Sequence, residues 1–141
     1  MEKVAVVYWS GSGNTATMAK NIADGAEAGG AEVSLFTAAE FSPAEAARFD
    51  RIAFGCSAMG AEELEETEFL PMFDAVEPGL GEKPVALFGS YGWGEGEWMK
   101  AWEARIRAQG NLFAEGLILN DAPDAQGREK CRAFGRGFGE R

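Results

Sequence analysis

Apolar and polar positions along this chain come in blocks with two different periods. Lys3 to Trp9 is a short, nearly continuous apolar run of strand length. From Asn14 to Ala28 the spacing changes: Thr15, Met18, Ala19, Ile22, Ala23 and Ala26 share one helical face, and Gly29 and Gly30 stop the helix. Ala31 to Phe36 predicts a second strand. Ser42, Pro43 and Glu45 have the form of an N-cap, a first-turn proline and the far side of a capping box, opening a short helix through Ala47. Arg51 to Cys56 predicts a third strand. Pro71 to Val76 predicts a short helix, with Pro71 tolerated in its first turn, and Gly79 and Gly81 end that region. Pro84 to Gly89 reads as a fourth strand, and Glu97 to Gln109 as a helix with Met99, Trp102 and Ile106 turned inward. Leu112 to Leu119 reads as a fifth strand, with Gly116 marking a bulge or irregularity. Asp124 to Phe138 predicts the last helix, with Cys131, Phe134 and Phe138 on its buried stripe; Gly135, Gly137 and Gly139 are expected to fray its end.

Strands therefore alternate with helices throughout. Several strands are apolar without strict alternation, as expected when helices cover both faces of a parallel sheet. No linker or repeat divides the chain, so the expectation is one α/β domain with a five-stranded parallel sheet. Right-handed crossovers limit its topology, but periodicity alone leaves the strand order open.

Composition narrows the function. The 141 residues are 46% hydrophobic and 26% charged, which describes a soluble globular chain. Only six apolar residues, Val4 to Trp9, follow Lys3 before Ser10, so no signal peptide or membrane span is read and the cytoplasm is the default. The formal charge of −10 disfavours nucleic acid and anionic membranes. It suits a partner with a positive docking patch, although excess charge also serves plain solubility. The absence of histidine removes the commonest metal ligand and general base. Cys56 and Cys131 match no close-spaced metal or redox motif, and Cys56, ending an apolar run, reads as a core residue.

In a parallel α/β sheet, ligands bind at the edge where the strand C-termini lie. The loops there are Ser10 to Thr15, Ser57 to Glu66, Ser90 to Glu97, and the end of strand five near Asn120. The first, SGSGNT, leads directly into a helix, whose free N–H groups attract an anion. Gly11 and Gly13 let the backbone approach closely; Ser10, Ser12 and Thr15 add hydroxyls; Asn14 caps the helix or braces the loop. There is no GxxxxGK[ST] lysine loop and no GxGxxG, which favours a phosphate monoester over a triphosphate or dinucleotide. The second loop carries Met59 before Gly60. The third, SYGWGEGEW, sets Tyr91 and Trp93 among glycines, a placement suited to stacking on a planar ligand. These residues admit flavin mononucleotide and equally an adenosine phosphate.

YWSGSGNT at Tyr8 to Thr15, GCSAMGAEELE at Gly55 to Glu65 and LFGSYGWGEGEWM at Leu87 to Met99 together resemble the short-chain flavodoxins of clostridial type, a likeness that runs over essentially the whole chain. The resemblance implies a single flavodoxin-like domain over residues 1–141, a three-layer sandwich with strand order 2-1-3-4-5, and noncovalent FMN. The strand-five insertion of long-chain relatives is absent from Leu112 to Leu119. By the family pattern Ser10, Ser12, Asn14 and Thr15 bind the FMN phosphate with the backbone of Gly11 to Thr15, and Ser57 lies near it. Met59, after Ala58, lies on the inner face of the isoalloxazine ring and Trp93 on the outer face, and Glu62 accepts the ring N3–H. The peptide after Gly60 turns over on one-electron reduction to meet N5–H. Backbone of Ser90, Tyr91 and Gly92 contacts the ring and ribityl region, and Asn120 supports the Trp93 side. Ala61 departs from the family, where Asp is frequent, and alters the energy of that turn.

The implied function is a low-potential one-electron carrier, not an enzyme, shuttling between semiquinone and hydroquinone for partner oxidoreductases. One carboxylate ~8 Å from the ring costs the reduced anion about 2 kcal/mol at an effective dielectric of ~20. Glu62, Glu63, Glu65, Glu66 and Glu68 crowd one loop, and Glu95 and Glu97 the next. They suggest monomeric docking to ferredoxin- or flavodoxin-linked oxidoreductases with basic patches. A small FMN-dependent reductase would need substrate room that Trp93 fills. A phosphoacceptor signalling domain would need an acid where Cys56 stands. A cysteine-based phosphatase would need a thiol within Ser10 to Thr15.

Overall fold

Five strands form one parallel sheet: β1 (Lys3–Trp9), β2 (Glu32–Thr37), β3 (Arg51–Cys56), β4 (Val85–Tyr91) and β5 (Leu117–Asn120), in the order β2-β1-β3-β4-β5. The α-helices are α1 (Asn14–Ala28), α2 (Pro43–Ala46), α3 (Phe69–Val76), α4 (Glu97–Arg107) and α5 (Ala125–Gly139). This computed structural model describes residues 2–11, 13–58, 64–92, 96–108 and 111–140. The flavodoxin-like class and strand order stand as expected. β3, central and covered on both faces, is buried at every position, which is why it carries no polar residue after Arg51.

The two faces of the sheet pack differently. On one face, Ala5, Val7, Ile52, Phe54, Val85 and Leu87 meet Phe69, Met72 and Phe73 of α3 and Trp98, Met99, Trp102 and Ile106 of α4. On the other, Val4, Val6, Ala53, Ala86 and Phe88 meet Met18, Ile22 and Ala26 of α1 and Cys131 and Phe138 of α5.

The glycines of α5 do not fray it. The helix runs through Gly139, and Gly135 and Gly139 are buried against α1. A Cβ on Gly135 would stand 2.0 Å from the Ile22 carbonyl oxygen; one on Gly25 would stand 2.0 Å from that of Arg132. The two helices touch backbone to backbone, so contact surface outweighs the low helix propensity of glycine. Arg51 fastens the far end of α5, its guanidinium donating to the carbonyls of Phe138 at 2.7 Å and Glu140 at 3.1 Å.

Several boundaries move for identifiable reasons. Ala31 closes α1, its N–H bonding the Ala26 carbonyl beside left-handed Gly30 (φ 104°), so β2 starts at Glu32 and runs to Thr37. Thr37 and Glu40 form a reciprocal capping box around the 3-10 turn Ala38–Glu40, which the hydrophobic pattern does not reveal. At α2, Ser42 Oγ accepts the Glu45 N–H, but the Glu45 carboxylate pairs with Arg48. β4 continues to Tyr91 because Ser90 and Tyr91 pair with Leu119 and Asn120. The fifth strand is shorter than expected. Leu112 bridges Val85 alone, and pairing resumes at Phe88 with Leu117, three residues along β4 against five along the other chain segment. The irregularity includes Gly116, whose N–H donates to Glu103 at 2.5 Å and whose Cβ would lie 2.3 Å from Met99 Sδ.

Candidate functional site

β1 ends in Trp9, and the chain turns at Ser10 and Gly11 before α1. Gly13 occupies the N-cap position at φ 97°, a left-handed conformation that favours glycine, and among the described residues nothing lies within 4 Å of where its Cβ would be. Ser10 Oγ accepts the Gly13 N–H at 3.0 Å, which shapes the turn. Asn14 is the first residue of α1 rather than its cap: the cap residue is Gly13, and among the described residues no side chain caps the helix. No acidic residue occupies the first turn. The start of α1 thus presents backbone donors and positive dipole, open to an anion. Ser10, Gly11, Gly13, Tyr8, Trp9, Ala16 and Glu68 line a cleft of about 570 Å³ that reaches Thr37 to Ala39.

Beneath this loop the structure joins three predicted site residues. Thr15 is fully buried, and its hydroxyl lies 2.7 Å from Ser57 Oγ and 3.0 Å from Ser90 Oγ while accepting the Ser90 N–H at 3.3 Å. Ser57 and Ser90 hydroxyls are 3.4 Å apart. One hydroxyl cluster therefore ties the start of α1 to the ends of β3 and β4. Ala58, also buried, donates its N–H to the Ser90 carbonyl at 3.1 Å. Gly89 permits the underlying approach, since a Cβ there would stand 2.1 Å from the Cys56 carbonyl oxygen.

On the β4–β5 side, Asn120 is exposed and paired in register with Tyr91, and the Asp121 N–H bonds the Tyr91 carbonyl at 2.7 Å. Tyr91 is half-buried with its ring tilted against Trp98 at 5.8 Å, and Gly92 is exposed. Trp98 in turn donates its indole N–H to the Cys56 carbonyl at 3.2 Å. Ser12, Met59, Gly60, Ala61, Glu62, Glu63, Trp93 and Glu95 lie outside the described residues.

Glu65 differs from its expected place in an acidic docking surface. It is only 6% exposed, and its carboxylate accepts the N–H groups of Thr67, Glu68 and Phe69 and the Thr67 hydroxyl. Burial alone would push its carboxyl up, but these four donors hold it down at about 2. The same bonds start α3 two residues before the predicted Pro71. The Glu65 N–H meets Cys56 Sγ at 3.4 Å, and burial pushes that thiol up to about 12, so Cys56 is a structural group, as its place in the run suggests.

The pairing of Trp9 with Glu68 in the cleft was not read from the pattern. Trp9 donates its indole N–H to Glu68 Oε1 at 3.0 Å, beside Ser10 and Gly11. The available signal was a tryptophan ending an apolar strand directly before a glycine loop.

The donor set fits a phosphate ester. The loop offers backbone N–H groups and the Ser10 hydroxyl around a helix start that no described side chain caps, and no described residue crowds Gly13.

Comparison with known proteins agrees with that chemistry. The flavodoxin family model matches residues 6–135. The chain is 42% identical over 132 residues to the flavodoxin of Megasphaera elsdenii, covering 94% of this chain and 95% of that one. It is also 42% identical to the flavodoxin of Clostridium beijerinckii, covering 93% and 95%. The solution structure of two-electron reduced M. elsdenii flavodoxin superposes with a TM-score of 0.87 at 40% identity, over 96% of this chain and 98% of that one. With the family model spanning most of the chain and these relatives matched almost end to end, the protein belongs to the flavodoxin family, FMN-binding electron carriers rather than enzymes.

Proposed function

We propose that this flavodoxin is a single-domain, monomeric cytoplasmic carrier that seats the FMN phosphate in the Ser10–Thr15 loop and exchanges electrons with partners bearing a basic patch. The observation that carries the phosphate assignment is the start of α1: a left-handed glycine, no side-chain cap among the described residues and no acid in the first turn, at the mouth of a cleft. FMN, when bound, supplies the one-electron chemistry, and the protein supplies binding and tuning.

Ser10, Ser12, Asn14 and the backbone from Gly11 to Thr15 hold the phosphate. The buried Thr15–Ser57–Ser90 cluster keeps the three ligand loops in register. The family resemblance assigns Met59 and Trp93 to the two ring faces, Glu62 to the ring N3–H, and backbone of Ala58, Gly60 and Ser90 to Gly92 to the ring and ribityl edge, with Asn120 supporting the outer side. Gly60 tolerates positive φ, so its peptide can turn to offer its carbonyl to the ring N5 position. Exposed Glu66 and the neighbouring glutamates favour brief, oriented encounters with a basic surface.

Titrating apoprotein with FMN and with riboflavin tests the phosphate seat. Gly13→Val should weaken FMN and leave riboflavin almost unchanged; equal loss for both ligands would remove the phosphate from this loop. Stopped-flow transfer to a basic acceptor tests docking. Rates should fall between ~0.01 and ~0.5 M salt as the Debye length contracts from ~30 Å to a few Å. Glu66→Gln with Glu95→Gln should flatten that dependence, whereas Glu65→Gln should not, because Glu65 is buried on its own backbone.

A further inference from the structure

We propose that Glu68 is a positioning residue for the phosphate end of the FMN site, holding the Trp9 indole in place as a cover on the glycine loop. The proposal rests on the seating of the phosphate at Ser10–Thr15 argued above. The Trp9 indole N–H donates to Glu68 Oε1 at 3.0 Å across 59 positions of sequence. The indole ring lies against the loop: a Cβ on Gly11 would stand 3.1 Å from Trp9 Cη2 and 3.5 Å from Cζ3. Trp9, Glu68, Ser10, Gly11 and Gly13 line one cleft.

The acceptor comes from a fixed point. Glu68 is the N-cap residue of α3, and its N–H donates to Glu65 Oε1 at 2.7 Å. The buried Glu65 carboxylate holds the N–H groups on both sides as well. The backbone that aims the Glu68 side chain is therefore anchored, while the indole it receives ends a strand and is half-buried. Without an acceptor, the Trp9 ring would regain its side-chain rotations and leave Gly11 uncovered for part of the time. A carboxylate beside a phosphate seat is electrostatically unfavourable, so the useful property of Glu68 here is its acceptor oxygen rather than its charge. An amide oxygen should serve as well.

The test follows release of FMN from the holoprotein of wild type, Glu68→Ala, Glu68→Gln and Trp9→Phe, with riboflavin as the phosphate-free probe. Indole ¹H–¹⁵N spectra of each holoprotein, with the Trp9 signal assigned by its loss in Trp9→Phe, report the hydrogen bond itself. Glu68→Ala and Trp9→Phe should release FMN about fivefold to tenfold faster, the equivalent of one hydrogen bond. Glu68→Gln should restore most of the wild-type rate, and riboflavin release should be nearly the same in all four. The Trp9 indole N–H should exchange faster with solvent in Glu68→Ala and recover in Glu68→Gln. A merely structural role for Glu68 would move both ligands alike and would not be rescued by Gln. Unchanged FMN release in Glu68→Ala, or equal acceleration for FMN and riboflavin, overturns the proposal. Gly13→Val separates the causes. If it weakens FMN selectively while Glu68→Ala does nothing, the clasp is wrong and the phosphate seat stands; if it too fails to discriminate between the ligands, the seat and the clasp fall together.

Discussion

The starts of α1 and α3 solve the same problem in opposite ways. Both leave backbone N–H groups without a partner inside the helix. At α3 the chain supplies its own anion, the buried Glu65 carboxylate, on three successive N–H groups. At α1 none of the described residues supplies one: the cap is a glycine, the first turn has no acid, and the cleft is open. The closed helix start is architecture, and the open one has no carboxylate in its first turn. The layers behind them differ as well. α3 and α4 pack through interlocked rings, with Phe54 perpendicular to Phe73 at 5.0 Å and Trp102 edge-on to Phe69 at 5.3 Å. α1 and α5 pack through glycines and carbonyls. One face fills space with large side chains, and the other removes side chains so that backbones meet.

The comparison predicts opposite sensitivities. Deletion should hurt the aromatic face most. Phe54→Ala removes a fully buried ring and should cost about 3–5 kcal/mol in urea unfolding. A loss under about 1 kcal/mol would mean that this core collapses freely around the gap. Addition should hurt the glycine face. Gly135→Ala gains about 1 kcal/mol of helix propensity, yet should destabilise by about 2–3 kcal/mol, because its methyl meets the Ile22 carbonyl, which cannot swing aside as a side chain would. A stabilised variant would show that the two helices slide apart at little cost.

The closed helix start should show itself in acid. The Glu65 carboxyl sits at about 2 in the folded chain against an ordinary 4.5, so the unfolded chain takes up its proton first as pH falls. Its contribution is fully present above pH 4.5 and is lost as pH drops toward 2. Glu65→Gln should cost about 2 kcal/mol at neutral pH, with the gap to wild type closing over that acid range. A gap independent of pH would take the charge out of the interaction. The smallest effect belongs to the glycine that the helix pair does not use. Gly137 is exposed, and a Cβ there would make ordinary contact with Phe113 at 3.7 Å, so Gly137→Ala should stabilise by about 0.5–1 kcal/mol in the same unfolding assay.

Much of the fold was legible because its signals are local. The bounds of β1, α1 and β3 follow from apolar runs and glycine stops within a few residues of each element. Met99, Trp102 and Ile106 are buried as their helical spacing predicts. SGSGNT marked the open helix start because small residues, left-handed glycine and a following helix are all contained in one hexapeptide. The resemblance to flavodoxins added the strand order that periodicity leaves open.

What pattern reading missed depends on partners distant in sequence. Glycines in α5 look like helix weakness until α1 lies against them, and the same helix pair is tied by Arg132 to Asn21 across 111 positions. Glu65 looks like one more surface carboxylate in an acidic run until the chain folds its own N–H groups onto it. Thr15, Ser57 and Ser90 could each be placed in a loop, but their joining in one buried cluster exists only when the start of α1 lies beside the ends of β3 and β4. Trp9 and Glu68 meet only after β1 and α3 are docked. Local signals were enough for the class of fold, most elements and the glycine loop ahead of α1, because hydrophobic period and turn chemistry act over a few residues. Tertiary structure alone decided which glycines are contacts, which carboxylate is a cap and which hydroxyls form a floor, because each depends on what stands within 3 or 4 Å in space rather than along the chain.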